Sequence, residues 1–255
     1  MFFWQGKEFN ILFVHPWKSG GSTVKRAFFN AFQALNPGKI SELKSQKKLF
    51  QASNGELLYE DFYGQLYAIH YTAAEFYRCL GTEEWAKTFK FSIVRNPLLR
   101  LLSMYNFSTK DGKSFYKRMF LSGLPYTDEQ YLRVAHHVED LRLAFRELGF
   151  KNWLLNSQRM LIGDLCLIPV AKIPQHRWFI GPSGAVDIDK IYRLENLGEL
   201  SHDFQNRFGL SLQLGHENKK IYEKDLSVFK DPEVQSFLHK YHQVDMDVFD
   251  YDDLL

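Results

Sequence analysis

Residues 9–27 read FNILFVHPWKSGGSTVKRA, and the fold turns on this stretch. Ile11-Leu12-Phe13-Val14 is an unbroken apolar run of the kind that fills a buried strand. It runs into Pro16, Lys18 and the pair Gly20-Gly21. Ser22 and Thr23 follow, and Val24 to Leu35 continues as a helix that Asn36-Pro37-Gly38 stops. Strand, tight loop and helix in this order build an anion cradle. Glycines let the backbone turn sharply and approach a ligand closely. The free N–H groups and the dipole at a helix start favour negative charge. Lys18 adds a full positive charge, and Ser19, Ser22 and Thr23 add hydroxyl donors, so a phosphate is the natural occupant. A glycine-containing strand-to-helix turn with a surface lysine shares the same letters.

Working outward, Gln65 to His70 reads as a second strand. Thr72 is the expected N-cap of a helix through Leu80, with Glu75 at the capping-box position. Thr88 to Val94 reads as a third strand, which Arg95-Asn96-Pro97 breaks to start another helix, with Pro97 at a favourable first-turn position. Further helices are expected over 113–121, 128–148, 152–162, 197–208 and 232–244. Short strands are expected at Trp178-Phe179-Ile180 and Lys190-Ile191-Tyr192-Arg193. Residues 39–62 are polar and irregular, with a turn at Ser53-Asn54-Gly55, and read as an insertion or mobile segment. Strands alternating with helices point to a single α/β domain with a mostly parallel sheet. Ligands of such sheets bind beyond the carboxyl ends of the strands. Lys18, His70 and Arg95 are expected there, on three separate strands.

The chain has 255 residues, 45% of them hydrophobic and 23 of them Phe, which is ample for one large core. Net charge is +2, so no global nucleic-acid signature exists. Local basic clusters, Lys39 to Lys48 and Lys110 to Arg118, are solvated faces or contacts to an anionic acceptor. Two cysteines, Cys79 and Cys166, form no framework or Cys-x-x-Cys motif. No His, Cys, Asp or Glu spacing suggests a metal site. No run of about 18 apolar residues is present, so the expectation is a soluble, cytoplasmic chain without a transmembrane segment. A domain cut from a membrane-anchored parent would read the same.

The loop is not the nucleotide-triphosphate loop, which needs Gly, four residues, then Gly-Lys-Ser/Thr. Here the lysine precedes the glycine pair. The order Pro-x-Lys-Ser-Gly-Gly-Ser-Thr resembles the phosphosulfate-binding loop of sulfotransferases, which use 3′-phosphoadenosine 5′-phosphosulfate (PAPS). A second stretch, FSIVRNPLLRLLSMY over residues 91–105, resembles their 3′-phosphate-binding segment. Arg-Asn-Pro, then Arg100, Ser103 and Tyr105, looks most like the carbohydrate branch, sulfotransferase family 2, with its heparan sulfate 2-O-sulfotransferases. Ile173-Pro174-Gln175, Asp189 to Leu197 and the ending Tyr241 to Tyr251 are similar to later parts of that pattern.

The resemblance implies a three-layer P-loop-like fold with a central, mostly parallel sheet flanked by helices. It implies that Lys18, Ser19, Gly20, Gly21, Ser22 and Thr23 hold the 5′-phosphosulfate, and that Arg95 and Ser103 hold the 3′-phosphate. It also implies PAPS as co-substrate, 3′-phosphoadenosine 5′-phosphate (PAP) as product, and no metal. The acceptor would be a hydroxyl on a glycan or a glycosylated small molecule, with no nucleic acid as partner. The segment around His70 is similar to the one that supplies the family's general base. A base titrating near neutral pH suits removal of a hydroxyl proton, and Lys18 suits neutralising the leaving oxygen. One departure stands out: the family usually has His-x-Pro-Lys, whereas this chain has His15-Pro16-Trp17-Lys18. Other readings of the same residues are a P-loop phosphotransferase, or a nucleotide-binding protein of this fold that transfers nothing. Lys219 and Lys220 suggest a basic lid.

Overall fold

The apolar run forms strand β2, Asn10–Val14, whose last four residues are buried. The structure, a computed structural model, describes residues 2–5, 9–35, 48–51, 57–60, 72–109, 143, 146–155, 170–215 and 226–251. The chain divides into two units, Met1–Arg95 with Gln175–Tyr222, and Asn96–Pro174 with Glu223–Leu255.

In the first unit β2 pairs in parallel with β5 (Thr88–Val94), and β5 pairs in parallel with β6 (Lys190–Arg193). An edge strand, β1 (Phe2–Gln5), runs antiparallel to β2. Val14 lies opposite Ser92 and Val94 opposite Arg193, so the three parallel strands end together. One face of the sheet, with Phe13, Phe91, Ile93 and Tyr192, packs on α1 (Gly21–Leu35) and α4 (Leu197–Phe208). Phe204 of α4 is fully buried, its ring 4.8 Å from Phe91 and 5.0 Å from Phe28. Burying a ring of this size contributes about 1.5–3 kcal/mol. Tyr192 donates to Asp203 at 2.5 Å and so ties β6 to α4; burial and that bond raise its phenol pKa.

The opposite face carries α2 (Ala73–Lys87). Lys90 is buried there, its ammonium 5.1 Å from the Trp85 ring centre and 3.1 Å from the Asp189 carboxylate. Thr72 and Glu75 form the expected capping box, with Thr72 N–H donating to Glu75 at 2.6 Å. Helical geometry breaks at Gly81 (φ 77), one residue past the expected end, and a further short helical piece runs to Lys87. Helices cover both faces of the sheet, as expected of an α/β fold.

Two segments carry secondary structure other than the sequence suggests. The irregular 39–62 segment contains an antiparallel pair, β3 (Lys48–Gln51) with β4 (Leu57–Glu60), and the expected turn falls between them, outside the described residues. Trp178-Phe179-Ile180 is not a strand: Gln175–Phe179 is a 3₁₀ turn, and Ile180 makes one bridge with Val186. Trp178 and Phe179 are buried in succession, which a compact turn permits and a half-buried strand does not. The strand expected over Gln65 to His70, the helix over 113–121 and most of that over 128–148 lie outside the described residues.

The second unit contains α3 (Pro97–Ser108) and α5 (Pro232–Phe249), with a helical stretch over 146–155. The Asn96 side chain caps α3, accepting from Leu98 and Leu99 N–H at 3.0 and 3.2 Å. Asp231 caps α5 in the same way. That helix runs five residues past the expected end at Val244, because Asp245 and Phe249 are buried and the last turns are held inside. Arg100 is fully buried and donates to the Ile173 carbonyl at 3.0 Å. Burial pushes its pKa down to about 10, and the charge of Asp245 opposes the shift. Among the described residues no helix is long and apolar enough to cross a membrane.

Candidate functional site

β2 delivers the chain into the loop His15 to Gly20. Lys18 has φ 65 and Gly20 φ 91, with Ser19 between them outside that region. An alternation of this kind turns successive N–H groups toward one concavity, an anion-binding arrangement. Among the described residues, the N–H groups of Ser19, Gly20 and Ser22 make no hydrogen bond.

α1 begins at Gly21 rather than Val24, so Ser22 and Thr23 lie in its first turn. Not all its leading N–H groups are open. Gly21 N–H donates to His15 Nε2 at 3.0 Å, and Thr23 and Val24 N–H donate to the Gly20 carbonyl at 3.1 and 3.4 Å. Ser19 is fully buried and its hydroxyl donates to the Pro16 carbonyl at 2.7 Å. That hydroxyl therefore closes the loop on itself. The displaced proline takes part in this closure, since Pro16 is buried and supplies the acceptor.

A Cβ at Gly20 would run into the Leu194 side chain, and one at Gly21 into the His15 ring. The glycine pair is thus demanded by the protein's own packing, with Leu194 brought in at the end of β6. The His15 ring stacks on Phe13 at 5.4 Å and an interplanar angle of 28°. His15 thus packs at the end of β2 and adds a bond to the helix start. Replacing it with Leu should cost about 1–2 kcal/mol by stranding the Gly21 N–H. Gln can still offer an acceptor, so His15→Gln should cost roughly half as much or less. Urea denaturation of the two variants measures the difference, and equal losses would refute the bond's importance.

Arg95 follows β5 directly, on the strand next to β2, so it and the loop stand at the carboxyl ends of neighbouring parallel strands. Its backbone is clasped by a side chain. Arg95 N–H donates to Gln175 Oε1 at 2.9 Å, and Gln175 Nε2 donates to the Arg95 carbonyl at 2.7 Å. Gln175 is fully buried. A cleft of about 330 Å³ runs beside α1, lined by Thr23, Arg26, Ala27 and Asn30 together with Gln213 to Gly215.

Ser103 lies half-buried on α3 of the second unit. Arg100, three residues earlier on the same helix, is fully buried and donates to the Ile173 carbonyl. His70, Lys219 and Lys220 lie outside the described residues. Among the described residues no cluster of three His, Cys, Asp or Glu side chains is placed to hold a metal ion.

The sequence profile of the Sulfotransferase family matches residues 2–252. The chain belongs to the sulfotransferase family. That match spans both units and every described element from β1 to the end of α5. No curated protein and no solved structure matches this sulfotransferase significantly. Gln175 belongs to the resembling stretch Ile173-Pro174-Gln175, and the resemblance by itself assigns it no task. An amide side chain between Pro174 and the buried aromatic pair Trp178-Phe179 is the available signal that it satisfies buried backbone.

Proposed function

We propose that this sulfotransferase moves the sulfuryl group of PAPS to a hydroxyl of a carbohydrate acceptor. The observation that carries the reading is the loop of alternating φ, with three N–H groups open, set beside Arg95 at the ends of neighbouring parallel strands. PAPS supplies an activated S–O bond flanked by a 5′-phosphate, and a separate 3′-phosphate. The loop and the start of α1 suit the phosphosulfate. The fork of Arg95 suits the 3′-phosphate, which it can grip bidentately. Ser103 is assigned to that phosphate from the resemblance alone. The cleft beside α1 is of a size to take a base and its ribose.

The acceptor oxygen forms its bond to sulfur as the bond to the bridging oxygen breaks, and PAP departs. Lys18 offsets the charge that develops on that bridging oxygen. His70 takes the acceptor's hydroxyl proton. As in phosphoryl transfer, positioning and electrostatics supply most of the rate. The carbohydrate acceptor is favoured by the likeness of residues 91–105 to the carbohydrate branch. The phosphotransferase reading is disfavoured by Lys18 standing before the glycines.

The test is calorimetric titration with PAP, ATP and AMP, on the wild type and on Arg95→Ala. PAP should bind at least about tenfold more tightly than AMP, and Arg95→Ala should erase that margin. Preference for ATP, or indifference to the 3′-phosphate, would sink the reading. Turnover with labelled PAPS and a panel of glycans, with His70→Ala as control, then identifies the acceptor.

A further inference from the structure

We infer that Gln175 is a positioning residue for 3′-phosphate recognition, acting through the backbone of Arg95. The inference rests on the nucleotide reading above. A strand that ends at Val94 leaves the next peptide groups without a ladder partner. Gln175 replaces that partner with one side chain, which accepts from Arg95 N–H at 2.9 Å and donates to its carbonyl at 2.7 Å. Both groups of the amide are used, and the residue is fully buried, so its orientation is fixed by what it bonds.

Two bonds to one residue set its φ and ψ from both sides. The side chain that leaves this residue is the guanidinium assigned to the 3′-phosphate. Gripping a phosphate with two N–H groups demands an accurate direction, because a displacement of about 1 Å in a positioned group costs up to about 10²-fold. Gln175 itself sits at the start of a 3₁₀ turn whose Trp178 and Phe179 are buried, and the next residue, Ile180, accepts from Ala74 N–H of α2 at 3.2 Å. The clasp is therefore anchored to the body of the first unit.

The chemistry yields a signature that a merely structural role does not. Gln175→Met keeps size and burial but removes both bonds. Gln175→Glu keeps an acceptor for the N–H and loses the donor to the carbonyl. Affinities for PAP and for AMP are measured by calorimetry on the wild type and both variants, with thermal melts alongside. PAP affinity should fall about tenfold or more in Gln175→Met while AMP affinity changes less than about twofold. Gln175→Glu should fall between wild type and Met. An equal loss for PAP and AMP, or no loss for either, overturns the inference. Should Gln175→Met fail to fold, Gln175→Glu decides alone by the same ratio. A wild type that does not prefer PAP to AMP overturns the nucleotide reading itself, and this inference with it, before any variant is compared.

Discussion

Replacing Lys18 with glycine should make the protein more stable and nearly inactive at once. Lys18 is a non-glycine residue at φ 65. A side chain in the left-handed region costs about 1–2 kcal/mol, and glycine adopts that conformation without a steric penalty. The gain is reduced by the extra freedom glycine has in the unfolded chain. A net stabilisation of about 0.5–1 kcal/mol should remain. Turnover moves the other way. A charged group aimed at the oxygen where charge develops contributes about 10²–10³-fold when it is the only such group removed. Lys18→Ala lacks the charge and keeps the strain, so it should lose as much activity without gaining stability. The pair separates backbone from charge, with denaturant melts reading one and labelled-PAPS turnover the other. A Lys18→Gly variant that turns over at more than about a tenth of the wild-type rate would remove the lysine from the mechanism. Backbone strain concentrates at functional residues, and a trade of this kind is expected there.

The elements that sequence reading placed well are those whose own side chains specify them. β5 and β6 are runs of apolar and β-branched or aromatic residues, ended by Arg95 and by Leu194 entering a turn. α4 carries Leu200 and Phe204 at helical spacing and stops at Gly209, whose backbone is left-handed. α3 announces itself through Asn96 and Pro97. Where the signal failed, tertiary context had taken over. α5 outran its apolar period because Asp245 is buried despite its charge. The aromatic pair Trp178-Phe179 promised a strand but serves a 3₁₀ turn that buries both rings in succession. The β3–β4 pair consists of two four-residue strands, too short for a period count to register.

The site was legible as composition and only partly as geometry. Lysine, glycines and hydroxyls in sequence suggest an anion cradle, and Arg95 does follow its strand directly. What the letters hid was how many of those groups are spent on the loop itself. Ser19 gives its proton to Pro16, and Gly21 gives its N–H to His15. The roles of His15 and Gln175 run through backbone groups, which no residue pattern displays. Gly20 and Gly21 looked like space for a ligand, yet Leu194 and His15 are what they make room for.

The largest loss of stability should come from Asp245. Arg100 lies wholly inside the second unit, on the helix that also carries Ser103. Burial drives its pKa downward and the charge of Asp245 pulls against this, which leaves it at about 10. At neutral pH the guanidinium therefore stays charged, donating to the Ile173 carbonyl. Asp245 is itself fully buried, with His242 Nδ1 3.9 Å from its carboxylate and His242 Nε2 bonded to the Ala171 carbonyl at 2.7 Å. Asp245→Asn keeps the shape and removes the compensating charge. Stranding a buried cation in this way costs about 3–5 kcal/mol. Removing both charges is a different matter, because two buried ions are expensive to desolvate and an apolar pair of similar volume is often as stable. Arg100→Met should therefore recover a large part of the loss when added to Asp245→Asn. Guanidinium denaturation of the two single variants and the double variant measures the coupling directly. A loss in Asp245→Asn of less than about 1 kcal/mol would mean that Arg100 is held by its carbonyl contacts and not by its counter-charge.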